Sequence, residues 1–206
     1  MDVNSLAIYR RMTQNGHAVS QGATLPSDEE EMVQRARKFD SEAWVEIYQR
    51  HFPSIYGYLL RRTGDPAVSE DLASSVFLGA LERIGSFSYR GVPLVAWLFR
   101  IAHNQLVDHW RKRERLSNSP LPEQQSDPDN SPQEELELSL LRDDLRRALA
   151  QVTEDQRQVL LLRFIHGLGV KEIAYALNKP QGAVKSLQHR GLASLRRVLS
   201  RGEIDA

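Results

Sequence analysis

Residues 117–141 carry six acidic side chains, no Lys or Arg, and two proline-containing runs, Ser119-Pro120-Leu121-Pro122 and Asp127-Pro128-Asp129-Asn130-Ser131-Pro132. Such a stretch has too little apolar surface to offset the entropy of ordering it, so it reads as an extended, flexible acidic linker. A 206-residue chain interrupted in this way must fold as two small units. The expected boundaries are an N-terminal extension over residues 1–26, a first unit over 27–116, the linker over 117–135 and a second unit over 136–202.

Both units read as helical, which makes the expected fold class all-α with no competing strand signal. In the first unit, Ser27 followed by Asp28-Glu29-Glu30-Glu31 starts a short helix that runs to about Phe39. Trp44, Ile47, Tyr48, Phe52, Ile55, Tyr56, Leu59 and Leu60 then repeat at the three-and-four spacing of a buried helical stripe, with Pro53 as a kink and Thr63-Gly64 as the stop. Asp65-Pro66 opens the next helix, whose inward stripe is Val68, Leu72, Val76, Leu81 and Ile84, ending at Gly85. After a loop over residues 86–92, Pro93 starts a helix with Leu94, Trp97, Leu98, Ile101 and Ala102 inward. Its polar face carries Arg100, Asn104, Asp108, Arg111 and Lys112 and runs into the basic cluster of residues 111–115.

In the second unit, Leu138, Leu141, Leu145, Ala148, Leu149 and Val152 form one amphipathic helix. Thr153-Glu154-Asp155-Gln156 is a capping box for another, with Val159, Leu160 and Phe164 inward and Gly167 as its stop. A short helix over 170–177, a turn at Asn178-Lys179-Pro180 and a longer helix from Gln181 to about Ser200 complete a helix-turn-helix. Ile173, Ala174, Leu177, Val184 and Leu187 lock the two helices so that the second can enter a major groove. The chain is formally neutral, with 27 Lys and Arg against 27 Asp and Glu, yet residues 177–202 hold six basic side chains and no acid. Lys185, Ser186, Gln188, His189 and Arg190 therefore form a donor-rich face suited to phosphates and base edges. Phe87, Tyr89 and Trp97 near the other basic face are of the kind that stack on unpaired bases, although Trp97 shares the inward stripe and fits a core role better.

The string Trp97-Leu98-Phe99-Arg100-Ile101-Ala102-His103-Asn104, with Asp108 and Arg111-Lys112-Arg113 after it, resembles the promoter-melting segment of extracytoplasmic-function sigma factors. Asp71-Leu72 and Val76-Phe77-Leu78 resemble that family's polymerase-binding helix. Leu161-Leu162-Arg163-Phe164, Glu172-Ile173-Ala174 and Gly182-Ala183-Val184-Lys185-Ser186 resemble its fourth region. The likeness covers about residues 27–116 and 136–200. It implies a protein that binds core RNA polymerase through Asp71, Leu72, Ser75, Val76 and Phe77. Phe87, Tyr89, Arg90, Asn104, Asp108, Arg111 and Lys112 would then read a melted minus-ten element, with the loop over 87–91 receiving an extruded base. Lys185, Ser186, His189 and Arg190 would read the duplex minus-thirty-five element. It further implies an anti-sigma partner and a linker that threads toward the polymerase active site. Three positions depart from the family pattern: Ser74-Ser75 stand where Gln-Glu is frequent, Ala183 replaces a Thr, and Leu187 stands where Arg is common.

Other function classes fit less of the chain. A helix-turn-helix regulator acting without polymerase accounts for residues 170–200 but leaves the polar face of residues 100–112 without a task. The six His form no H-E-x-x-H pattern, and no nucleophile elbow, P-loop or dinucleotide fingerprint is present, so neither a catalytic role nor a cofactor or metal is expected. The absence of Cys fits a reducing compartment, and no apolar run reaches roughly 18 residues. The expectation is a cytoplasmic protein without membrane insertion.

Overall fold

The computed structural model describes residues 26–88, 91–116 and 152–202, and every regular element among them is helical. In the first unit α1 spans Pro26–Arg37, α2 Ser41–Thr63, α3 Pro66–Arg83 and α4 Leu94–Leu116, with a 3-10 turn over Ile84–Ser86. In the second unit α5 spans Glu154–Leu160 and continues as a π-helix over Leu161–Ile165. Helix α6 spans Val170–Ala176 and α7 Gln181–Gly202. The expected helix over residues 138–152 and the linker lie outside the described residues.

Local chemistry explains the helix ends. Asp40 accepts from the Glu42 N–H at 2.9 Å and Asp65 from the Ala67 N–H at 2.9 Å, satisfying amides that a helix start leaves unpaired. Gly64 adopts φ +67° and donates to the Leu60 carbonyl, the left-handed close expected there. One cap is long-range: the Glu29 carboxylate of α1 accepts from the Leu94 N–H at 3.0 Å, so α1 caps α4 across 65 positions of sequence. Helix α2 runs unbroken through Pro53.

Helices α2, α3 and α4 pack on one another, and α1 closes over α2. The α4 stripe is as expected, with Leu94, Trp97, Leu98, Ile101 and Ala102 all buried, joined by Leu106. The α3 stripe is displaced from expectation. Its inward face is Ser69, Ala73, Val76, Gly79 and Ala80, while Val68, Leu72 and Leu81 are only half-buried. Small residues on that face let α3 lie close between its neighbours, and the larger apolar side chains are left at its edges. Phe164 departs too: it is 58% exposed rather than inward. The widened turn, in which the His166 N–H donates to the Leu161 carbonyl, rotates it out of the α5 stripe.

The two units meet along α4 and α6. His166 sits between Tyr58 and Phe99, with ring centroids 6.2 and 4.9 Å away. The Arg62 guanidinium, 6% exposed, pairs with Glu154, and the Arg100 guanidinium lies 4.9 Å from the Tyr175 ring centroid. Tyr58 and Phe99 are wholly buried although neither belongs to the stripes read from the sequence.

Burial gives this fold a pH dependence. His51 is buried in α2 with no hydrogen-bond partner on Nε2, and desolvation, aided by the nearby Arg50 cation, pushes its pKa down to about 4. Because the unfolded imidazole binds a proton more readily, this contribution is fully present above about pH 6.5 and is lost as pH falls toward 4. In thermal melts His51 should account for a loss on the order of 2 kcal/mol between pH 7 and pH 5, and His51→Phe should remove that share while leaving the part due to His166, whose pKa burial also pushes down to about 4. A pH profile identical in wild type and His51→Phe would contradict the assignment.

Candidate nucleic-acid and polymerase interface

On α4, the residues Asn104, Asp108, Arg111 and Lys112 are all exposed and fall on one side of the helix, because offsets of four, seven and eight residues keep them within an arc of about 100°. Asp108 and Arg111 stand 3.7 Å apart and are each about two-thirds exposed, too solvated to hold one another strongly. They remain available to a ligand. Arg100 lies one turn earlier on the same face and is half-buried under Tyr175.

The loop leading into α4 is ordered differently from expectation. Phe87 is 2% exposed and packs on Trp97 with centroids 5.1 Å apart, and its carbonyl accepts from the Arg37 guanidinium. Its ring belongs to the core and presents no free face for stacking. It pins the loop instead. Trp97 is buried as well. Tyr89 and Arg90 lie outside the described residues. Gly91, at φ +70°, turns the chain in the left-handed region.

The expected polymerase-binding residues of α3 separate into two groups. Asp71 and Ser75 are exposed and Leu72 is half-buried, whereas Val76 is wholly buried and Phe77 nearly so. Val76 therefore serves packing, since its offset from Ser75 turns it about 100° inward. Phe77 contributes an edge to an open apolar recess lined also by Trp44, Tyr48, Ser74, Leu78 and Leu81. Beneath it, Tyr48 stacks on Phe52 at 4.7 Å and meets Phe77 at 4.9 Å. Leu78, 62% exposed at the rim, was not among the expected contacts; an apolar residue on the outward side of the α3 pattern was the available signal.

In the helix-turn-helix, Ile173, Ala174, Leu177, Val184 and Leu187 are all buried, as the lock requires. Asn178 takes φ +52° and the Lys179 N–H returns to the Ala174 carbonyl at 2.9 Å, which closes the turn. Glu172 accepts from the Gly169 N–H at 2.6 Å and fixes the start of α6. The lock leaves Lys185, Ser186, His189 and Arg190 exposed along one face of α7. Leu187, at a position where the family often has Arg, points inward and supports that face from behind.

Comparison with known proteins agrees with this division. The Sigma-70 region 2 family matches residues 47–116 and the Sigma-70, region 4 family matches residues 148–197. The chain is 37% identical over 175 residues to the ECF RNA polymerase sigma factor BldN of Streptomyces coelicolor, covering 82% of this chain and 65% of BldN. It is 32% identical to the ECF RNA polymerase sigma factor SigX of Bacillus subtilis, covering 76% of this chain and 83% of SigX. Among solved structures, the sigma factor RpoE of Bartonella quintana, in complex with the anti-sigma factor NepR, shares the fold at a TM-score of 0.61. It is 23% identical, with 75% of this chain and 95% of that chain covered.

Because Ile173 orients α7 without facing the outer surface, Ile173→Ala should destabilise the second unit by about 2–5 kcal/mol. It should weaken duplex DNA binding while leaving the slope of log affinity against log salt unchanged, since no phosphate contact is removed. Denaturant melts and salt-titrated binding measure the two effects, and a shallower slope would show that the side chain does more than lock the helices.

Proposed function

Because this chain belongs to the extracytoplasmic-function RNA polymerase sigma factors, we propose that its exposed faces divide promoter recognition between the two units. Asn104, Asp108, Arg111 and Lys112 on α4 contact the upstream edge of the melted minus-ten element, and the loop over 87–91, with Tyr89 and Arg90, receives an extruded base. Lys185, Ser186, His189 and Arg190 on α7 read the duplex minus-thirty-five element. The observation that carries this reading is that each unit buries its apolar stripe so as to leave one donor-bearing face exposed, and those faces lie in the two segments matched to the family.

Core RNA polymerase docks on α3 in this reading, through Asp71, Leu72 and Ser75 with Leu78 and the Phe77 edge of the apolar recess. An apolar recess rimmed by exposed polar residues is the kind of surface that marks a protein partner. Residues 117–135 supply an acidic strand toward the polymerase active site. An anti-sigma factor holds the protein inactive in this reading; the similarly folded RpoE was solved in complex with one, NepR. The chain contributes recognition rather than bond chemistry and acts in the cytoplasm; no described helix is long and apolar enough to cross a membrane. A regulator that reads DNA without polymerase is disfavoured by the match over the first unit.

The direct test is whether the purified chain co-elutes with bacterial core polymerase and directs specific initiation from a library of promoter fragments. Failure to bind core together with tight duplex binding would refute the reading. Two substitution sets separate the faces. Asn104→Ala with Arg111→Ala should spare core binding and reduce promoter opening at least tenfold by permanganate footprinting; normal melting would remove α4 from the minus-ten role. Lys185→Ala with Arg190→Ala should weaken duplex binding and lower the salt slope by about one to two. An unchanged slope would exclude phosphate contacts by that pair.

A further inference from the structure

Helix α1 touches the loop before α4 at both of the loop's ends. The Glu29 carboxylate accepts from the Leu94 N–H at 3.0 Å, and the Arg37 guanidinium donates to the Phe87 carbonyl. Both partners are backbone groups, 65 and 50 positions away in sequence, one where the loop enters α4 and one where it leaves the 3-10 turn. Glu29, Met32, Val33, Ala36 and Arg37 follow the three-and-four spacing of a single helix face; the middle three are buried and the outer two half-buried. Helix α1 therefore lays an apolar strip on the first unit and sets a charged head against the loop from each end of that strip. We infer that Glu29 and Arg37 are positioning residues for minus-ten recognition, holding the two ends of the loop that receives the extruded base. This inference rests on the promoter reading above.

The dipole of α1 favours an acid in its first turn and a base in its last, which accounts for the sign of each charge. It does not account for their aim. Burial raises the Glu29 pKa despite the Leu94 N–H and the Arg50 cation, and Arg37 Nε is buried with no hydrogen-bond partner among the described residues. Both groups are thus held at the loop against a desolvation cost. The loop also lacks a cap of its own: Gly91-Val92-Pro93 offers no side-chain oxygen to the first amides of α4, whereas α2 and α3 are capped locally by Asp40 and Asp65. The start of α4 is fixed from α1 instead.

Helix α1 is itself tied down. Trp44 Nε1 donates to the Ala36 carbonyl at 3.1 Å, and Arg35 Nε donates to Asp40 at 2.8 Å, which joins α1 to the start of α2. Residues 29 and 37 stand about 12 Å apart along this fixed helix. The chain from Phe87 to Leu94 would reach about 25 Å if extended, so it has slack to arch between the anchors, with Gly91 at φ +70° as one of its bends. A loop with slack keeps one shape only when its ends are fixed. The Phe87 ring on Trp97 fixes one end by an apolar contact, and α1 fixes the backbone at both.

Initiation with core polymerase on a promoter library randomised across the minus-ten element reads the base preference at each position. That preference is a ratio, so a partly unfolded sample, which lowers every promoter alike, leaves it unmoved. Glu29→Ala with Arg37→Ala should flatten the preference about fivefold or more at one position, distinct from those flattened by Asn104→Ala with Arg111→Ala. Glu29→Gln with Arg37→Lys, which keeps an acceptor and a donor in the same places, should restore it to within about twofold of wild type. If the double alanine variant does not fold, Glu29→Ala alone leaves one anchor in place and should flatten the same position by about twofold. An alanine variant that keeps the wild-type preference at every position, or flattens every position alike, or flattens only those read by α4, overturns the inference. So does a conservative pair no better than the alanine pair. A wild-type protein with no preference anywhere in the minus-ten element sinks the promoter reading itself, and the inference with it.

Discussion

Burial of the α4 stripe is the constraint on which the rest depends. Leu94, Leu98, Ile101, Ala102 and Leu106 are fixed against α2 and α3, and a helix held on one side by that many buried contacts has no freedom to rotate. Its opposite side, from Arg100 to Lys112, is therefore presented in one orientation. The Glu29 carboxylate at the Leu94 amide adds a fixed start to the helix, and Phe87 wedged on Trp97 fixes the loop that enters it. A polar surface in the role proposed for this one needs that rigidity more than it needs any one of its own side chains.

The second unit solves the same problem with fewer residues. Helix α6 has seven residues and would be marginal alone. Ile173, Leu177, Val184 and Leu187 bury it against α7, and Glu172, Asn178 and Lys179 fix its two ends. The π-helical turn at Leu161–Ile165 shows the cost of fitting a short helix to its neighbours. One residue of register is lost, and Phe164 and Ile165 are turned outward as a result.

Between the units the balance of forces differs. Within each unit, buried apolar side chains supply most of the contact. At the seam, two guanidiniums, three rings and two imidazoles are brought together with several polar atoms left unpaired. Burial with the nearby Arg61 cation holds His166 down to about 4, so a neutral imidazole fills the space between Tyr58 and Phe99 at ordinary pH. Such a junction is held by a few specific contacts rather than by a continuous apolar stripe.

Much of the molecule was legible in the sequence because local rules settle it. The caps at Asp65 and Gly64, the α4 stripe, the helix-turn-helix lock and the charge segregation each depend on residues a few positions apart. The faces carrying Asn104, Asp108, Arg111 and Lys112, and Lys185, Ser186, His189 and Arg190, follow from helical period alone. What only the tertiary structure decided depends on neighbours distant in sequence. The inward side of α3 is chosen by how closely α2 and α4 approach, so small residues win over Leu72 and Leu81. Phe87 and Val76 become core because other helices cover them, Tyr58 and Phe99 pack edge-to-face on one another and close against His166 of the second unit, and Arg62 is paired with Glu154 across the seam. Periodicity reports which side of a helix is apolar, whereas burial at a junction between units depends on a partner surface that no local pattern encodes.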